Sequence, residues 1–106
     1  MTVYNKLVRD KIPGLIRQQG AKPLIRVLDD EEYAQCLADK LNEEVAEFHR
    51  DRNVEELADI LEVVFALADT LGSSRAELME VYQEKHDARG GFADRVFLIS
   101  KEDKCL

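Results

Sequence analysis

The chain has 106 residues, of which 45% are hydrophobic and 35% are charged, and its formal net charge is −7. This size and composition predict a single globular, helix-rich domain over residues 1–106. The negative charge argues against a nucleic-acid duplex or an anionic membrane as the main partner, and the longest apolar run, 63–68, is too short to span a bilayer. Because charged residues stand where a signal peptide would need an apolar segment, we expect a cytoplasmic protein.

The first two elements are predicted from apolar spacing and from glycine and proline. Residues 6–19 are expected to form a helix, with Pro13 near its start or at a kink and Gly20 as a left-handed cap. Segment 22–28 is short and β-branched, and it predicts a strand.

Two amphipathic helices are predicted in the centre of the chain, on either side of the polar break 50–53. Asp29 or Asp30 is expected to cap the first, which runs to about Asp51. The second is predicted over residues 54–71. Apolar residues cover more than half of its circumference, which is typical of a central, largely buried helix.

The last third of the chain predicts one more helix and one more strand. Ser74 and Glu77 have the spacing of a capping box, so a helix is expected from there to about Arg89. Segment 95–100 predicts a second strand, paired with residues 24–28. The predicted fold is mainly α, a helical bundle with a small β ribbon.

Acidic residues recur at three- and four-residue spacing along the two central helices and therefore share helix faces. Glu44 and Glu47 lie beside the apolar stripe of the first helix, whereas Glu43 is expected to face solvent. On the second helix Glu56 projects within the apolar arc, and Asp59 lies at its edge. Since the short break allows antiparallel packing, Glu44, Glu47, Glu56 and Asp59 are predicted to converge.

A convergence of carboxylates needs a positive partner, because a buried unpaired carboxylate is costly and like charges repel. An all-carboxylate set suits a hard divalent cation, Mg²⁺ in the first place with Mn²⁺ as an alternative. The competing interpretation is that these residues form the solvated faces of acidic helices. It accounts for Glu43, Glu55 and Glu62 but poorly for Glu56.

Basic residues are concentrated at the N-terminus. Residues 1–26 hold six Lys or Arg against one Asp, whereas residues 29–62 hold thirteen Asp or Glu against three Lys or Arg. This arrangement suits a polyphosphate ligand, although the basic segment is equally able to neutralise the acidic helices. The candidate phosphate contacts are Lys6, Arg9, Lys85 and Arg89. For the last two, the alternative is that they complement a helix C-terminus.

The paired motifs EExxE at 43–47 and ExxD at 56–59 resemble the all-α nucleoside triphosphate pyrophosphohydrolases of the MazG-like superfamily. The segments YNKLVRDKIP, KLNEEVAEF, EELADILEV and RGGF resemble its phosphoribosyl-ATP pyrophosphohydrolase-like branch. The resemblance implies Mg²⁺-dependent hydrolysis of a nucleotide between its α- and β-phosphates, as in a house-cleaning enzyme. The gap between the two motifs is shorter than is usual in the family, so a tighter hairpin and a different nucleoside pocket are expected.

The resemblance also implies roles for individual residues. By position, the metal ligands are Glu44, Glu47, Glu56 and Asp59, and the phosphate contacts on the last helix are Lys85 and Arg89. Glu47 is the first candidate for the general base. Members of this superfamily usually build their sites within oligomers, and the wide apolar arc also predicts a homodimer or higher oligomer. Two alternatives remain open, phosphoribosyl-ATP hydrolysis and a non-catalytic helical module that binds a nucleotide or a partner chain.

Overall fold

A computed structural model describes residues 1–103, and four helices account for the regular structure within that range. Helix α1 spans Ile12–Gln18, α2 spans Asp30–Asp51, α3 spans Val54–Thr70 and α4 spans Arg75–Arg89. The predicted mainly α class is confirmed. None of the described helices is both long and apolar enough to cross a membrane.

Three of these helices begin at a polar side chain that caps them. Asp29, Asn53 and Ser74 each accept a hydrogen bond from the backbone N–H three residues further on, at 2.9, 3.0 and 3.1 Å respectively. Each bond satisfies one of the N–H groups that a helix start leaves unpaired. The predicted starts of α2, α3 and α4 are therefore confirmed to within a residue.

Helix α1 is shorter than predicted. It begins at Ile12, so residues 6–11 are not helical and the predicted extent 6–19 is wrong at its N-terminal end. Pro13 lies in the first turn. Its ring lacks an N–H and clashes with the carbonyl four residues earlier, so the helix cannot continue towards the N-terminus. Residues 1–11 precede the helix and are called the N-terminal arm below.

The predicted β ribbon is wrong, because no strand forms among residues 1–103. Segments 22–28 and 95–100 have no regular structure there, and their apolar side chains are largely in solvent: Leu24 is fully exposed and Phe97 is 86% exposed. A two-stranded ribbon is stable only when one face packs against something else. Neither segment has such a covered face in the single chain.

The best-packed part of the molecule is the hairpin of α2 and α3. Only Arg52 and Asn53 separate the two helices, and Arg52 has a left-handed backbone with φ 47°, which reverses the chain. The buried apolar core consists of Leu37 from α2 together with Val63 and Ala68 from α3. The hairpin thus places the C-terminal half of α2 beside the N-terminal half of α3, where the acidic motifs lie.

The rest of the chain is much less covered. The prediction that α3 is largely buried is wrong for the single chain, since Leu57 and Leu61 on this helix are each 48% exposed. Helix α4 packs against α3 but not against α1 or α2, and its apolar side chains Met79, Val81 and Tyr82 are about half exposed. The apolar arc of α3 is therefore wider than this chain alone can cover.

The overall dimensions agree with that description. The solvent-accessible surface is 9988 Å², whereas a compact chain of 12.1 kDa is expected to expose about 6,000 Å². The radius of gyration is 19.2 Å, against about 13 Å for a compact domain of this length. A single copy thus exposes far more surface to solvent than a compact globular domain of the same length.

Candidate metal centre

Five carboxylates from the two helices of the hairpin lie close together and form what we call the acidic cluster. Its members are Glu43, Glu44 and Glu47 from α2, and Glu56 and Asp59 from α3. One oxygen each of Glu44, Glu56 and Asp59 lies within 4.8 Å of the others, and the same holds for Glu43, Glu44 and Glu47. Glu44 belongs to both groups. Of the four predicted ligands, Glu44, Glu56 and Asp59 therefore come together, and Glu47 lies beside Glu44 in the other group. Their role in binding a metal stays a prediction.

The burial of two of these carboxylates is unusual for charged groups. Glu44 is only 6% exposed, and Glu56 is half-buried. The Oε2 atoms of both side chains are buried and accept no hydrogen bond from any residue in the range 1–103. A buried polar atom without a partner costs roughly 1–3 kcal/mol, and more if it is charged. A cation or a hydrogen-bond donor beside either oxygen would offset this cost.

The electrostatic environment of Glu44 also indicates that its buried carboxylate lacks a sufficient positive partner. Burial raises the pKa of Glu44 above its ordinary value, and the adjacent Glu47 raises it further, whereas Lys40 acts to lower it. Ionised Glu44 is therefore unfavourable in this environment. A proton or a cation beside it would relieve the cost.

Lys40 is a member of this environment that the sequence analysis missed. Its Nζ atom lies 3.3 Å from Glu44 Oε1 and 3.4 Å from Glu43 Oε1, and its side chain is 17% exposed. The spacing of three and four residues on one helix is a recognisable signal for such ion pairs. The pairs engage the Oε1 atoms, so Lys40 leaves Oε2 of Glu44 without a partner.

The N-terminal arm supplies the other positive charges. Arg9 Nη2 donates a hydrogen bond to Asp59 Oδ1 at 2.7 Å, and Lys6 Nζ lies 3.6 Å from Glu43 Oε1. Glu43 was expected to face solvent but is half-buried, since Lys6 and Lys40 both approach it. The arm therefore pairs with two carboxylates of the acidic helices, which agrees with one of the two interpretations left open by the charge distribution.

The other two predicted phosphate contacts lie elsewhere. Lys85 and Arg89 are exposed near the end of α4, and neither forms an ion pair with another residue in the part of the chain that the structure describes. Helix α4 does not pack against α2. The structure brings Lys6 and Arg9 to the acidic cluster, and it shows no contact of Lys85 or Arg89 with the cluster.

Two surface depressions are lined by residues other than the cluster carboxylates. One lies beside α1 and is lined in part by Asp10, Pro13 and Arg17. The other lies between the start of α2 and the end of α3, where Tyr33 and Thr70 line it. Neither depression is lined by a cluster carboxylate.

Comparison with known proteins finds a relative that matches part of this chain. A protein from Mycolicibacterium smegmatis (strain ATCC 700084 / mc(2)155), described as an uncharacterized protein, is 60% identical over 42 residues. Those residues are 40% of this chain and 43% of the relative, so the chain spans less than half of the length of that relative. No protein-family profile and no solved structure matches the chain.

Proposed function

We propose that this chain is a cytoplasmic, Mg²⁺-dependent nucleotide pyrophosphohydrolase with a MazG-like helical fold. The proposed reaction is hydrolysis of a nucleoside triphosphate, or a related nucleotide, between the α- and β-phosphates, and the proposed role is removal of non-standard nucleotides. The observation that carries the proposal is the approach of Glu44, Glu56 and Asp59 oxygens to within 4.8 Å, with buried oxygens that lack a hydrogen bond.

The chemistry of this donor set fits a hard divalent cation. All members of the acidic cluster offer carboxylate oxygens, and hard cations such as Mg²⁺ and Mn²⁺ prefer oxygen ligands. Within residues 1–103, the Oε2 atoms of Glu44 and Glu56 accept no hydrogen bond, although Lys40 lies near Glu44 Oε1. The proposed ligands are Glu44, Glu47, Glu56 and Asp59. Mg²⁺ held by them would neutralise phosphate charge and lower the pKa of a bound water.

The chain's own residues would perform the remaining steps. Glu47 accepts a proton from the attacking water as general base. The oxygen of that water becomes bonded to phosphorus while the bridging P–O bond between the α- and β-phosphates breaks, which yields a monophosphate and pyrophosphate. Basic side chains bind the phosphate oxygens and stabilise the departing pyrophosphate, and the proposed contacts are Lys6, Arg9, Lys85 and Arg89.

A second candidate function has an observation in its favour. Arg9, Lys6 and Lys40 already lie on Asp59, Glu43 and Glu44, so side-chain cations neutralise part of the acidic cluster. This arrangement suits a non-catalytic helical module in which the cluster is structural. The two functions differ in their response to divalent cations, which the module does not need.

The test is pyrophosphate release from a panel of canonical and modified nucleoside triphosphates and phosphoribosyl-ATP, with Mg²⁺ and with EDTA. We expect release only with Mg²⁺, and loss of release in Glu56→Gln. The matched control is Glu55→Gln, which removes the same charge from an exposed neighbour on α3. Turnover of phosphoribosyl-ATP alone would assign the chain to that narrower reaction. No release from any nucleotide by folded protein with Mg²⁺ would favour the non-catalytic module.

We also propose that the chain works as a homodimer or higher homo-oligomer. The excess of about 4,000 Å² over a compact monomer exceeds the ~800 Å² that each partner contributes to a standard interface. Exposed apolar residues on α3, including Leu57 and Leu61, lie next to the cluster-bearing part of the helix. Sedimentation equilibrium is expected to show at least a dimer for the wild type and a shift towards monomer for Leu61→Glu. The control Glu62→Gln should behave as the wild type, and a monomeric wild type at micromolar concentration would contradict the proposal.

A further inference from the structure

The N-terminal arm is joined to the hairpin by side chains that touch the proposed metal ligands or their neighbours. Arg9 Nη2 bonds to Asp59 Oδ1 at 2.7 Å across fifty positions of sequence, and Lys6 Nζ lies 3.6 Å from Glu43 Oε1. Asp59 is also one of the three residues whose oxygens lie within 4.8 Å of one another. The same carboxylate thus serves both the arm and the proposed cation site.

We infer that the arm acts as a reversible latch on the acidic cluster, and that a divalent cation releases it by taking Asp59 from Arg9. This inference rests on the proposed function, because it assumes that Glu44, Glu56 and Asp59 bind the cation. It adds a form of regulation, in which the site is closed by an internal cation until a metal ion enters.

The fit of the guanidinium group to the cluster is incomplete. Arg9 reaches Asp59, while the Oε2 atoms of Glu44 and Glu56 remain buried without a hydrogen bond within residues 1–103. A guanidinium is large, planar and permanently charged, so it pairs with a carboxylate at the rim of such a group. A small cation that binds oxygens at about 2.0–2.1 Å can engage oxygens that the guanidinium leaves free. The metal ion is therefore the better occupant.

The latch is also weak enough to be released. The side chains of Lys6 and Arg9 are 44% and 56% exposed, and exposed ion pairs contribute only about 0–1 kcal/mol each. Helix α1, which follows the arm, packs against none of the other helices in residues 1–103. Once Asp59 is neutralised by a cation, little holds the arm, and its two basic side chains become available to substrate phosphates.

The first measurement is the affinity of the protein for Mg²⁺ and Mn²⁺, determined by titration calorimetry. Arg9→Gln removes the competitor and is expected to bind the cation about two- to five-fold more tightly than the wild type, because the lost ion pair is exposed. Arg17→Gln removes the same charge from exposed α1, where no ion pair to the cluster exists among the described residues, and should bind as the wild type does. Arg9→Lys keeps the charge and should lie between them.

The second measurement follows release of the N-terminal arm by limited trypsin digestion and mass spectrometry. Cleavage of the wild type after Lys6 and Lys11 is expected to accelerate at saturating Mg²⁺, relative to NaCl of equal ionic strength. In Arg9→Gln the same cleavage should already be fast without Mg²⁺ and change little when it is added. Cleavage after the exposed Lys101 is an internal control and should not respond.

The outcomes separate this inference from the proposed function. Tighter binding by Arg9→Gln together with Mg²⁺-accelerated cleavage supports the latch. Cation binding with equal affinity in the wild type and Arg9→Gln, and with unchanged cleavage, overturns the latch but leaves the metal site in place. Absence of cation binding to both folded proteins overturns the latch and the metal site together.

Discussion

The hairpin of α2 and α3 and the rest of the chain differ in how far a single copy completes them. The hairpin buries Leu37, Val63 and Ala68, has polar caps at both helix starts and holds the acidic cluster in contact with three basic side chains. Outside it, α3 is the only one of the described helices that α4 packs against, and segment 95–100 leaves its apolar residues in solvent.

The two regions therefore differ in what stabilises them. The hairpin contains a local core, whereas α4 and the extended segments leave apolar side chains in solvent, where a second copy would cover them in the proposed oligomer. We therefore expect substitutions in the buried core and the acidic cluster of the hairpin to act on the stability and chemistry of one chain. Substitutions of exposed apolar residues, on α4, in segment 95–100 or on the uncovered side of α3, should act mainly on the proposed association.

The largest expected effect is chemical and lies in the hairpin. Glu56→Gln is expected to lower Mg²⁺-dependent nucleotide hydrolysis by about 100-fold or more, since it replaces a proposed ligand and metal ions contribute several kcal/mol to such transition states. Pyrophosphate release under saturating nucleotide is the measurement. Wild-type rates in Glu56→Gln would show that Glu56 is not a metal ligand. An equal loss of activity in Glu55→Gln would indicate a general effect of the lost charge.

The next effect is on packing. Leu37→Ala is expected to lower the free energy of unfolding by about 3 kcal/mol, because Leu37 is only 3% exposed and its removal leaves a cavity between α2 and α3. Chemical denaturation followed by circular dichroism measures it. Ile99→Ala, at a position that is 89% exposed, should change the unfolding free energy of a dissociated chain by less than about 0.5 kcal/mol. Equal losses at both positions would contradict the proposed difference between the regions.

The third effect depends on pH and on metal. Because the pKa of Glu44 is raised in the folded state, the native protein holds that proton more tightly than the unfolded chain does. The resulting stabilisation is complete below the unfolded pKa, about 4.3, and is lost as the pH rises through the raised folded value. At pH 7 in EDTA, Glu44→Gln should therefore be more stable than the wild type by about 1–2 kcal/mol.

Thermal unfolding of Glu44→Gln at several pH values is the corresponding measurement. Its advantage over the wild type should shrink towards pH 4, where the wild-type side chain is also neutral. Saturating Mg²⁺ should stabilise the wild type and not the variant, since only binding to the native state adds stability. The exposed Glu62→Gln serves as the control. An advantage that is independent of pH would show that ionised Glu44 is not its source.

The smallest effect compares two helix caps. Asn53→Ala and Ser74→Ala each remove a capping hydrogen bond worth about 1 kcal/mol. In the hairpin the loss should appear in the global free energy of unfolding, since α3 carries the core. In α4 it should appear as faster amide hydrogen exchange confined to residues 75–89, because that helix opens locally. Unchanged exchange in α4 of Ser74→Ala would show that another contact fixes its start.

The sequence by itself determined the positions of α2, α3 and α4 and, with the exception of Glu43, the helix faces on which the cluster carboxylates lie. Helix caps, periodic apolar residues and carboxylates at three- and four-residue spacing all act within about one helical turn, so local reasoning is enough to find them. The convergence of Glu44, Glu56 and Asp59 follows from the same spacing once the short connection at Arg52 brings the two helices together.

Only the tertiary structure decided which groups neutralise the acidic cluster and which segments remain uncovered. Arg9 and Asp59 are fifty positions apart, and no local pattern specifies that they meet. In the same way, the β-branched composition of segments 22–28 and 95–100 favours strands, but a strand also needs a neighbour and a covered face. Neither condition is met within residues 1–103. Side-chain composition thus sets a preference for strand, and long-range packing decides whether a strand forms.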